Sequence, residues 1–113
     1  MATTPEYVLY VCDQIAGVGQ VRCRKMFGEY MVYVNDRPVF TVCDNTVYVK
    51  MLDCVKDELA AAELDAPYPG AKSHYILDID DNALAKRVAA ILAVNISLPK
   101  PRKKKQKTGG KTT

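Results

Sequence analysis

The chain has 113 residues, of which 49% are hydrophobic, and it carries 16 basic and 13 acidic side chains. This length suits one small domain with its own core. No apolar run approaches the roughly 18 residues that a membrane-spanning helix needs. The N-terminus also lacks the basic and apolar regions of a signal peptide. We therefore expect one cytoplasmic domain that makes no use of a membrane.

The charge is divided unevenly along the chain. Residues 100–113 contain seven basic side chains and no acidic one, which leaves 9 basic and 13 acidic side chains, a net charge of −4, for residues 1–99. The segment 99–113 also has no large apolar side chain, so it cannot bury surface and is predicted to be a disordered basic tail. We accordingly divide the chain into a folded domain, 1–98, and this tail, 99–113.

Two roles fit the tail equally well. As a nucleic-acid-binding arm, its lysines would neutralise phosphates and release counterions, which gives sequence-independent and salt-sensitive affinity. As a solubilising extension it would only keep the domain in solution. The predicted nucleic-acid-binding residues are Lys100, Arg102, Lys103, Lys104, Lys105 and Lys107.

The first predicted element is a helix. Thr4, Pro5 and Glu6 form a helix start, because threonine can cap, proline suits the first turn and a carboxylate complements the helix dipole. An apolar stripe follows at spacings of three and four, and Gly17 and Gly19 end the helix. The stripe consists of Tyr7, Val8, Val11, Cys12 and Ile15.

Three strands are predicted next, at about 26–34, 38–43 and 46–51, from alternating apolar and polar residues. The connectors Asn35-Asp36-Arg37 and Asp44-Asn45 favour hairpins, because asparagine and aspartate tolerate the left-handed backbone that such turns require. The sequence therefore predicts an antiparallel meander.

A second helix is predicted from Asp53 to about Leu64, where Pro67 and Pro69 stop it. Its apolar face consists of Val55, Leu59 and Ala62. A fourth strand is predicted at 73–77. Helices and strands in this order indicate an α+β fold with two layers. We expect an antiparallel sheet, made of a β-meander plus one or two further strands, with helices packed on one face.

A last helix follows three carboxylates, Asp78, Asp80 and Asp81. A divalent metal could use such a cluster, but capping of the helix by Asp80 or Asp81 explains the acids better, because no other ligand group is near in the sequence. The side of this helix that should face the core carries Leu84, Val88, Ile91, Leu92 and Asn95.

Signatures of metal sites and enzymes are missing. The cysteines, Cys12, Cys23, Cys43 and Cys54, have no Cys-x-x-Cys spacing, so we expect reduced packing residues and no metal. The single histidine, His74, lies in a short predicted strand and is more consistent with partly exposed packing than with a general base. Glycine-rich fragments lack the spacing of nucleotide-binding loops. We predict a protein that is not an enzyme and binds no cofactor.

The most distinctive stretch is Arg24-Lys25-Met26-Phe27-Gly28-Glu29-Tyr30, at the entrance to the first predicted strand. Glycine inside a strand marks a bulge, a bend or a close approach of another backbone. From the residues alone, the motif is consistent either with a bulged strand start that only shapes the sheet or with a functional surface.

Together with later segments, this motif resembles the N-terminal domain of the TfoX/Sxy family. The later segments are Tyr33, Val-Phe-Thr-Val-Cys-Asp at 39–44, Val-Tyr-Val-Lys at 47–50 and Pro-Tyr-Pro-Gly at 67–70. The resemblance runs from the first helix to about residue 98 and implies a two-layer fold. It also implies kinship with bacterial regulators of competence and transformation genes, which act with a transcription factor rather than as enzymes.

Full-length regulators of that family carry a further C-terminal domain of helical, nucleic-acid-binding character. A chain of 113 residues has no room for it, so we expect a stand-alone TfoX N-terminal domain protein. The resemblance thus implies a non-enzymatic regulatory module that binds a protein partner such as a transcription factor. The alternative is weak, sequence-independent association with nucleic acid through the tail.

The motif and its neighbouring strands supply the predicted partner-binding surface. Its residues are Arg22, Arg24, Lys25, Phe27, Gly28, Glu29, Tyr30, Tyr48 and Lys50. Arginine and tyrosine commonly dominate interfaces, and Arg22, Arg24 and Lys25 form the densest basic cluster outside the tail. Glu29 is expected to pair with Lys50 across strands. The oligomeric state is left open between monomer and homodimer.

Overall fold

The computed structural model of the protein describes residues 3–26 and 29–96. In these ranges, six strands form one antiparallel sheet with the order β1-β2-β3-β4-β6-β5. The strands are β1 (Val21–Met26), β2 (Glu29–Val34), β3 (Arg37–Cys43), β4 (Thr46–Lys50), β5 (Leu64–Asp65) and β6 (His74–Leu77), and the helices are α1 (Pro5–Gln14) and α2 (Asn82–Asn95). The predicted α+β fold, a meander plus two further strands, is confirmed.

The start of α1 is as predicted. Thr4 is the N-cap, and its Oγ1 accepts a hydrogen bond from the Tyr7 backbone N–H at 3.2 Å. Pro5 occupies the first turn, where its missing N–H costs nothing. Of the predicted apolar stripe, Val8, Val11 and Ile15 are fully buried in the core.

Both predicted hairpins are confirmed. Asn35 and Asp36 have φ of 52° and 67°, and Asp44 and Asn45 both have φ of 52°. Two successive residues with positive φ are typical of a two-residue type I′ turn. The twist of this turn matches the twist of the two strands that it joins. Arg37 belongs to β3 rather than to the connector.

The predicted first strand, 26–34, corresponds to β2 (Glu29–Val34), and it is preceded by a strand, β1, that the sequence did not predict. Residues 21–26 form β1, and Met26 lies opposite Glu29, the first residue of β2. The sequence hides β1 because it is an edge strand whose middle four residues are all exposed, so it has no buried alternating face. Phe27 and Gly28, between the two strands, lie outside the described residues.

The predicted second helix is wrong. The described structure has a single 3-10 turn, Asp53–Val55, followed by irregular turns and the two-residue strand β5. No side chain caps the turn at Leu52, and acids such as Glu63 lie toward the predicted C-terminus, where they oppose the helix dipole. The apolar pattern still identified the core, since Val55 and Leu59 are buried and Ala62 packs against them.

The last strand and helix are confirmed, with one shift. Asp81 caps α2, and its Oδ1 accepts a hydrogen bond from the Leu84 N–H at 3.2 Å. The buried stripe lies about one position beyond the predicted one, so Asn95 is exposed and its Nδ2 donates to the Ile91 carbonyl. The buried residues of α2 are Ala85, Val88, Ala89, Leu92 and Ala93. Alanines were overlooked because they give a weak apolar signal.

Both helices pack on the same face of the sheet. They contact each other, and α2 also contacts β2 and β3. The strand side chains beneath them form the core, which includes Val32, Val34, Phe40, Val42, Val47, Val49 and Leu77. The opposite face has no helix in the described structure and is available for other roles.

Glycine is required at position 19 because neighbouring side chains leave no room for a Cβ atom, and not because of the backbone conformation. A Cβ there would lie 2.8 Å from Asn35 Nδ2 and 2.9 Å from Val34 Cγ1. Asn35 cannot move freely, because its Oδ1 accepts a hydrogen bond from the Gln20 N–H at 2.9 Å. We expect Gly19→Ala to lower the free energy of unfolding by about 1 to 2 kcal/mol in urea denaturation.

The matched control is Gln20→Ala. The Gln20 side chain makes no hydrogen bond in the described residues, and the backbone N–H that bonds to Asn35 is kept. It should change the free energy of unfolding by less than about 0.5 kcal/mol. Equal stabilities of the two variants would show that the contact between Gly19 and Asn35 does not constrain the fold.

Candidate binding face

The sheet face opposite the helices is the candidate site, and we call it the open face. Directly opposed residues of antiparallel strands point to the same side. The register aligns Arg24, Met31, Thr41, Tyr48 and Ile76 in one row across β1, β2, β3, β4 and β6. Alternation along the strands then assigns the residues two positions away to the same face.

The centre of the open face is less polar than a solvated sheet face commonly is. Met31, Tyr33 and Ile76 are half-buried, and Tyr48 is only 7% exposed. The Thr41 hydroxyl reaches the Met31 sulfur at 3.3 Å, which ties β3 to β2 across the face. Burial raises the pKa of the Tyr48 phenol, and nearby Asp65 adds to the shift, so this hydroxyl stays protonated at neutral pH.

A groove of about 360 Å³ runs between the open face and the loop that precedes β6. It is lined by Glu29, Met31, Thr41, Lys50, Pro67, Tyr68, Ala71, Lys72 and His74. Pro67 is buried, whereas Tyr68 is 51% exposed. The proline therefore anchors the loop, and the tyrosine presents a large ring at the rim of the groove.

A second cavity, of about 340 Å³, lies beside the groove. Its lining consists of Lys50, Met51, Leu52, Lys72, Ser73 and His74. Three residues, Lys50, Lys72 and His74, line both cavities. We call the second cavity the lysine pocket.

His74 has a defined tautomer. Its Nδ1 lies 2.8 Å from the Lys72 carbonyl oxygen, and a carbonyl only accepts, so Nδ1 carries the proton. Nε2 is then the free polar atom of the ring. The ring also meets Tyr48 edge to face, with 6.4 Å between centroids. His74 is half-buried and packs against Tyr48, which agrees with the predicted partial exposure.

The basic cluster predicted at the motif is divided by the pleat of β1. Arg22 and Arg24 lie on the open face, opposite Tyr33 and Met31. Lys25 lies opposite Tyr30, which packs against the core on the helix side. Two neighbouring basic residues of the motif therefore serve different faces.

Arg22 is already engaged within the protein. Its guanidinium forms an ion pair with Asp36 at 2.8 Å and lies 5.6 Å from the centroid of the Tyr33 ring. By contrast, the described residues contain no ion pair for Arg24, Lys50 or Lys72. These three cations of the open face and its groove are therefore available to a ligand.

The expected pairing of Glu29 with Lys50 is wrong. Glu29 begins β2 and Lys50 ends β4, and β3 separates the two strands. Two strand spacings amount to about 10 Å, and no ion pair joins the two residues in the described structure. Both side chains nevertheless line the same groove.

Sequence reasoning missed Met31, Tyr68 and Lys72 as parts of this face. In the sequence, the Pro-Tyr-Pro-Gly segment that supplies Tyr68 contributes only to the family resemblance. Lys72 belongs to a glycine-containing fragment that lacks the spacing of a phosphate-binding loop. A relevant signal was present, since Lys72 precedes His74 by two residues and an extended chain places such residues on one side. The predicted residues Phe27 and Gly28, and the whole tail, lie outside the described residues.

The cysteines are free, as predicted, but not all are packing residues. Cys12, Cys43 and Cys54 are half-buried, whereas Cys23 on β1 is exposed. Burial, together with the neighbouring Cys23 thiol, raises the pKa of the Cys12 thiol to about 11. Within 3–26 and 29–96, no group of three or more metal-ligating side chains lies close enough to hold an ion.

Alkylation should distinguish Cys12 from Cys23. With a pKa of about 11, only about one Cys12 in a thousand is thiolate at pH 8, and the thiolate is the reactive form. We expect iodoacetamide to modify exposed Cys23 long before Cys12, as measured by peptide mass spectrometry over time.

In Cys23→Ser, Cys12 should remain slow, because burial is the larger cause of its raised pKa. Fast labelling of Cys12 in the native protein would contradict the packing described for α1. Labelling that becomes fast only in Cys23→Ser would instead assign the protection to the Cys23 thiol.

The fold and the open face define a small two-layer α+β domain built around one accessible sheet surface. Neither described helix is long and apolar enough to cross a membrane. A sequence model of the TfoX N-terminal domain matches residues 13–98, and the chain belongs to that family. The resemblance carried by the motif is thereby confirmed. The family is not a known enzyme family.

One relative matches the chain over nearly the whole length of both sequences. The chain is 36% identical over 112 residues to an uncharacterized 12.7 kDa protein of the trpE 5′ region of Spirochaeta aurantia, and the match covers 97% of each chain. No solved structure matches the chain.

Proposed function

We propose that the protein is a TfoX-like regulatory module that binds an acidic segment of a protein partner along its open face. One observation carries the proposal. The open face has an apolar centre bordered by Arg24 on one side and by Lys50 and Lys72 on the other, and these cations have no ion pair among the described residues. They stand out on a chain whose residues 1–99 carry a net charge of −4.

The shape of the face suits an extended segment. Arg24 on β1 and Lys50 on β4 are three strand spacings apart, which is about 14 Å. An extended chain covers that width with four or five residues, at about 3.3 Å per residue. Carboxylates at its two ends would meet the cations, while the middle would lie over Met31 and Tyr48.

The composition of the face agrees with a protein partner. Methionine, tyrosine and arginine are enriched where protein surfaces bury each other, and each of them occurs in the central row. Exposed Tyr68 at the groove rim adds a large ring that costs little conformational entropy to fix. The family resemblance points to a transcription factor as the partner and to regulation rather than catalysis as the outcome.

Charge reversal at two adjacent residues tests the proposal. Arg24→Glu places a carboxylate on the open face and should reduce partner capture from native extract by at least about tenfold. A glutamate-rich peptide should compete with capture, whereas a lysine-rich peptide of the same length should not. Capture is measured by quantitative mass spectrometry of the material retained on immobilised protein.

Lys25→Glu is the matched control, because it makes the same charge change one residue further along β1 on the helix side. It should leave capture within about twofold of the native level. Thermal melts of both variants should match the native melt, since both side chains are exposed. Equal losses in the two variants, or no loss in Arg24→Glu, would refute docking on the open face.

The sequence supports a second candidate function, weak association with nucleic acid through the tail. The supporting observation is the run of seven basic and no acidic side chains in residues 100–113, which lie outside the described residues. The described domain would add little to such binding, because the net charge of residues 1–99 is negative and repels phosphates.

Deleting residues 100–113 tests this second function. Binding of the full chain to a mixed-sequence DNA duplex, measured by fluorescence anisotropy, should weaken by a factor on the order of 10³ between about 50 and 200 mM salt. The deletion should abolish the binding. DNA affinity that survives the deletion would place the nucleic-acid site in the folded domain instead.

A further inference from the structure

The lysine pocket is unusual in its chemistry. Its polar groups are two ammonium groups, one imidazole and one hydroxyl, and no carboxylate is among its lining residues. This occurs in a region, residues 1–99, where acids outnumber bases by 13 to 9. A cavity of about 340 Å³ is in the range that holds small ligands.

The sheet register brings these groups together. Lys50 ends β4 directly opposite His74, the first residue of β6, so their Cβ atoms are about 5 Å apart. Lys72 precedes His74 by two residues, and its carbonyl holds the His74 ring through the Nδ1–H bond of 2.8 Å. Two lysine side chains and an oriented imidazole therefore line one cavity.

Nearby carboxylates do not neutralise these lysines. Glu29 lines the neighbouring groove and not the lysine pocket. Asp65 lies opposite His74 on β5, but its Oδ1 accepts a hydrogen bond from the Ala66 N–H at 2.8 Å. Neither acid forms an ion pair with Lys50 or Lys72 in the described structure. An anion entering the pocket would meet positive charge without displacing an internal partner.

The donor set is better suited to a phosphoryl group than to a carboxylate. A phosphate monoester carries a charge of about −1.5 to −2 at pH 7 and three acceptor oxygens. Two ammonium groups and the Ser73 hydroxyl supply three donor groups for them. His74 Nε2 can accept from a protonated phosphate oxygen, or donate when the ring is charged. The cavity is larger than a phosphate ion, and Met51 and Leu52 give the remaining wall an apolar surface.

We propose that the lysine pocket binds the phosphoryl group of a small phosphate monoester, with Lys50 and Lys72 supplying charge and Ser73 and His74 supplying hydrogen bonds. The ester's organic part lies against Met51 and Leu52. This site can be distinguished from the docking of a protein segment, because Arg24 is no part of its lining. The two proposals share Lys50 and Lys72 but differ at Arg24 and Ser73.

Phenyl phosphate is the probe, with benzoate and inorganic phosphate as comparisons. The full chain is titrated with each compound at low salt, and amide chemical shifts are recorded. The amide signals of residues 50–52 and 72–74 should shift. Phenyl phosphate should bind more tightly than inorganic phosphate, because its ring contacts the apolar wall. Benzoate should bind about tenfold more weakly than phenyl phosphate, because it has fewer acceptors and less charge.

Variants locate the site. Lys50→Gln and Lys72→Gln should each weaken phenyl phosphate binding by about tenfold, a loss of about 1.4 kcal/mol. Lys56→Gln, at an exposed lysine outside the pocket, should leave it unchanged. Arg24→Glu should also retain binding, so failure of the docking proposal and failure of this one give different results.

Three outcomes would overturn the proposal. Shifts spread over all lysines and unaltered in Lys50→Gln and Lys72→Gln would mean unspecific ion binding. Benzoate binding as tightly as phenyl phosphate would mean that the pocket does not recognise a phosphoryl group. An absence of shifts in a protein whose thermal melt is native would mean that the pocket binds no such anion. Both lysines are exposed, so the variants are expected to fold.

Discussion

The burial of one face of the sheet under two helices is the constraint on which the rest of the structure depends. Side chains alternate between faces along every strand, so a slip of one residue would send Val32, Val34 and Val42 from the core into solvent. The core therefore fixes the register of all central strands. The same register decides which residues can appear on the open face. Its central row, from Arg24 to Ile76, is a consequence of how the opposite side packs.

Polar side chains hold the helical layer in place at both ends of α1. At its start, the Thr3 hydroxyl donates to the Val42 carbonyl at 3.4 Å, and Asn45 Oδ1 accepts from the Thr4 N–H at 3.0 Å. At its end, Gln14 Nε2 donates to the Ile79 carbonyl at 2.8 Å. The tight turn between β3 and β4 thus also serves as a docking point for the first helix, which joins local turn chemistry to the packing of the two layers.

Much of the fold could be predicted because local signals agreed with the tertiary arrangement. Thr4 and Asp81 cap helices, and Asn35 and Asp44 begin tight turns, through contacts that involve only a few neighbouring residues. The elements that were wrong have no such local signal. The 3-10 turn at Asp53–Val55 lies in a segment whose apolar residues reach the core without a regular helix, and periodicity alone cannot distinguish the two cases.

The site was predictable only in part, for the same physical reason. Tyr48 and Lys50 were placed near the motif because they belong to the meander, but their neighbours Lys72 and His74 come from β6 and the segment before it. Pairing of β4 with β6 brings these residues together across more than 20 positions of sequence. A single sequence carries no local trace of such a pairing, so the lysine pocket could be found only once the register was known.

The family motif itself acquires a more specific meaning from β1. As an edge strand, β1 exposes unpaired backbone groups, and charged side chains on an edge commonly prevent unwanted pairing with other chains. Protection of the sheet edge, together with local packing, explains two of the basic residues. Lys25 lies on the helix side, and Arg22 is already paired with Asp36. Arg24 is different, because it points to the open face and has no ion pair in the described structure. Among Arg22, Arg24 and Lys25, only Arg24 has a position that protection of the sheet edge does not explain.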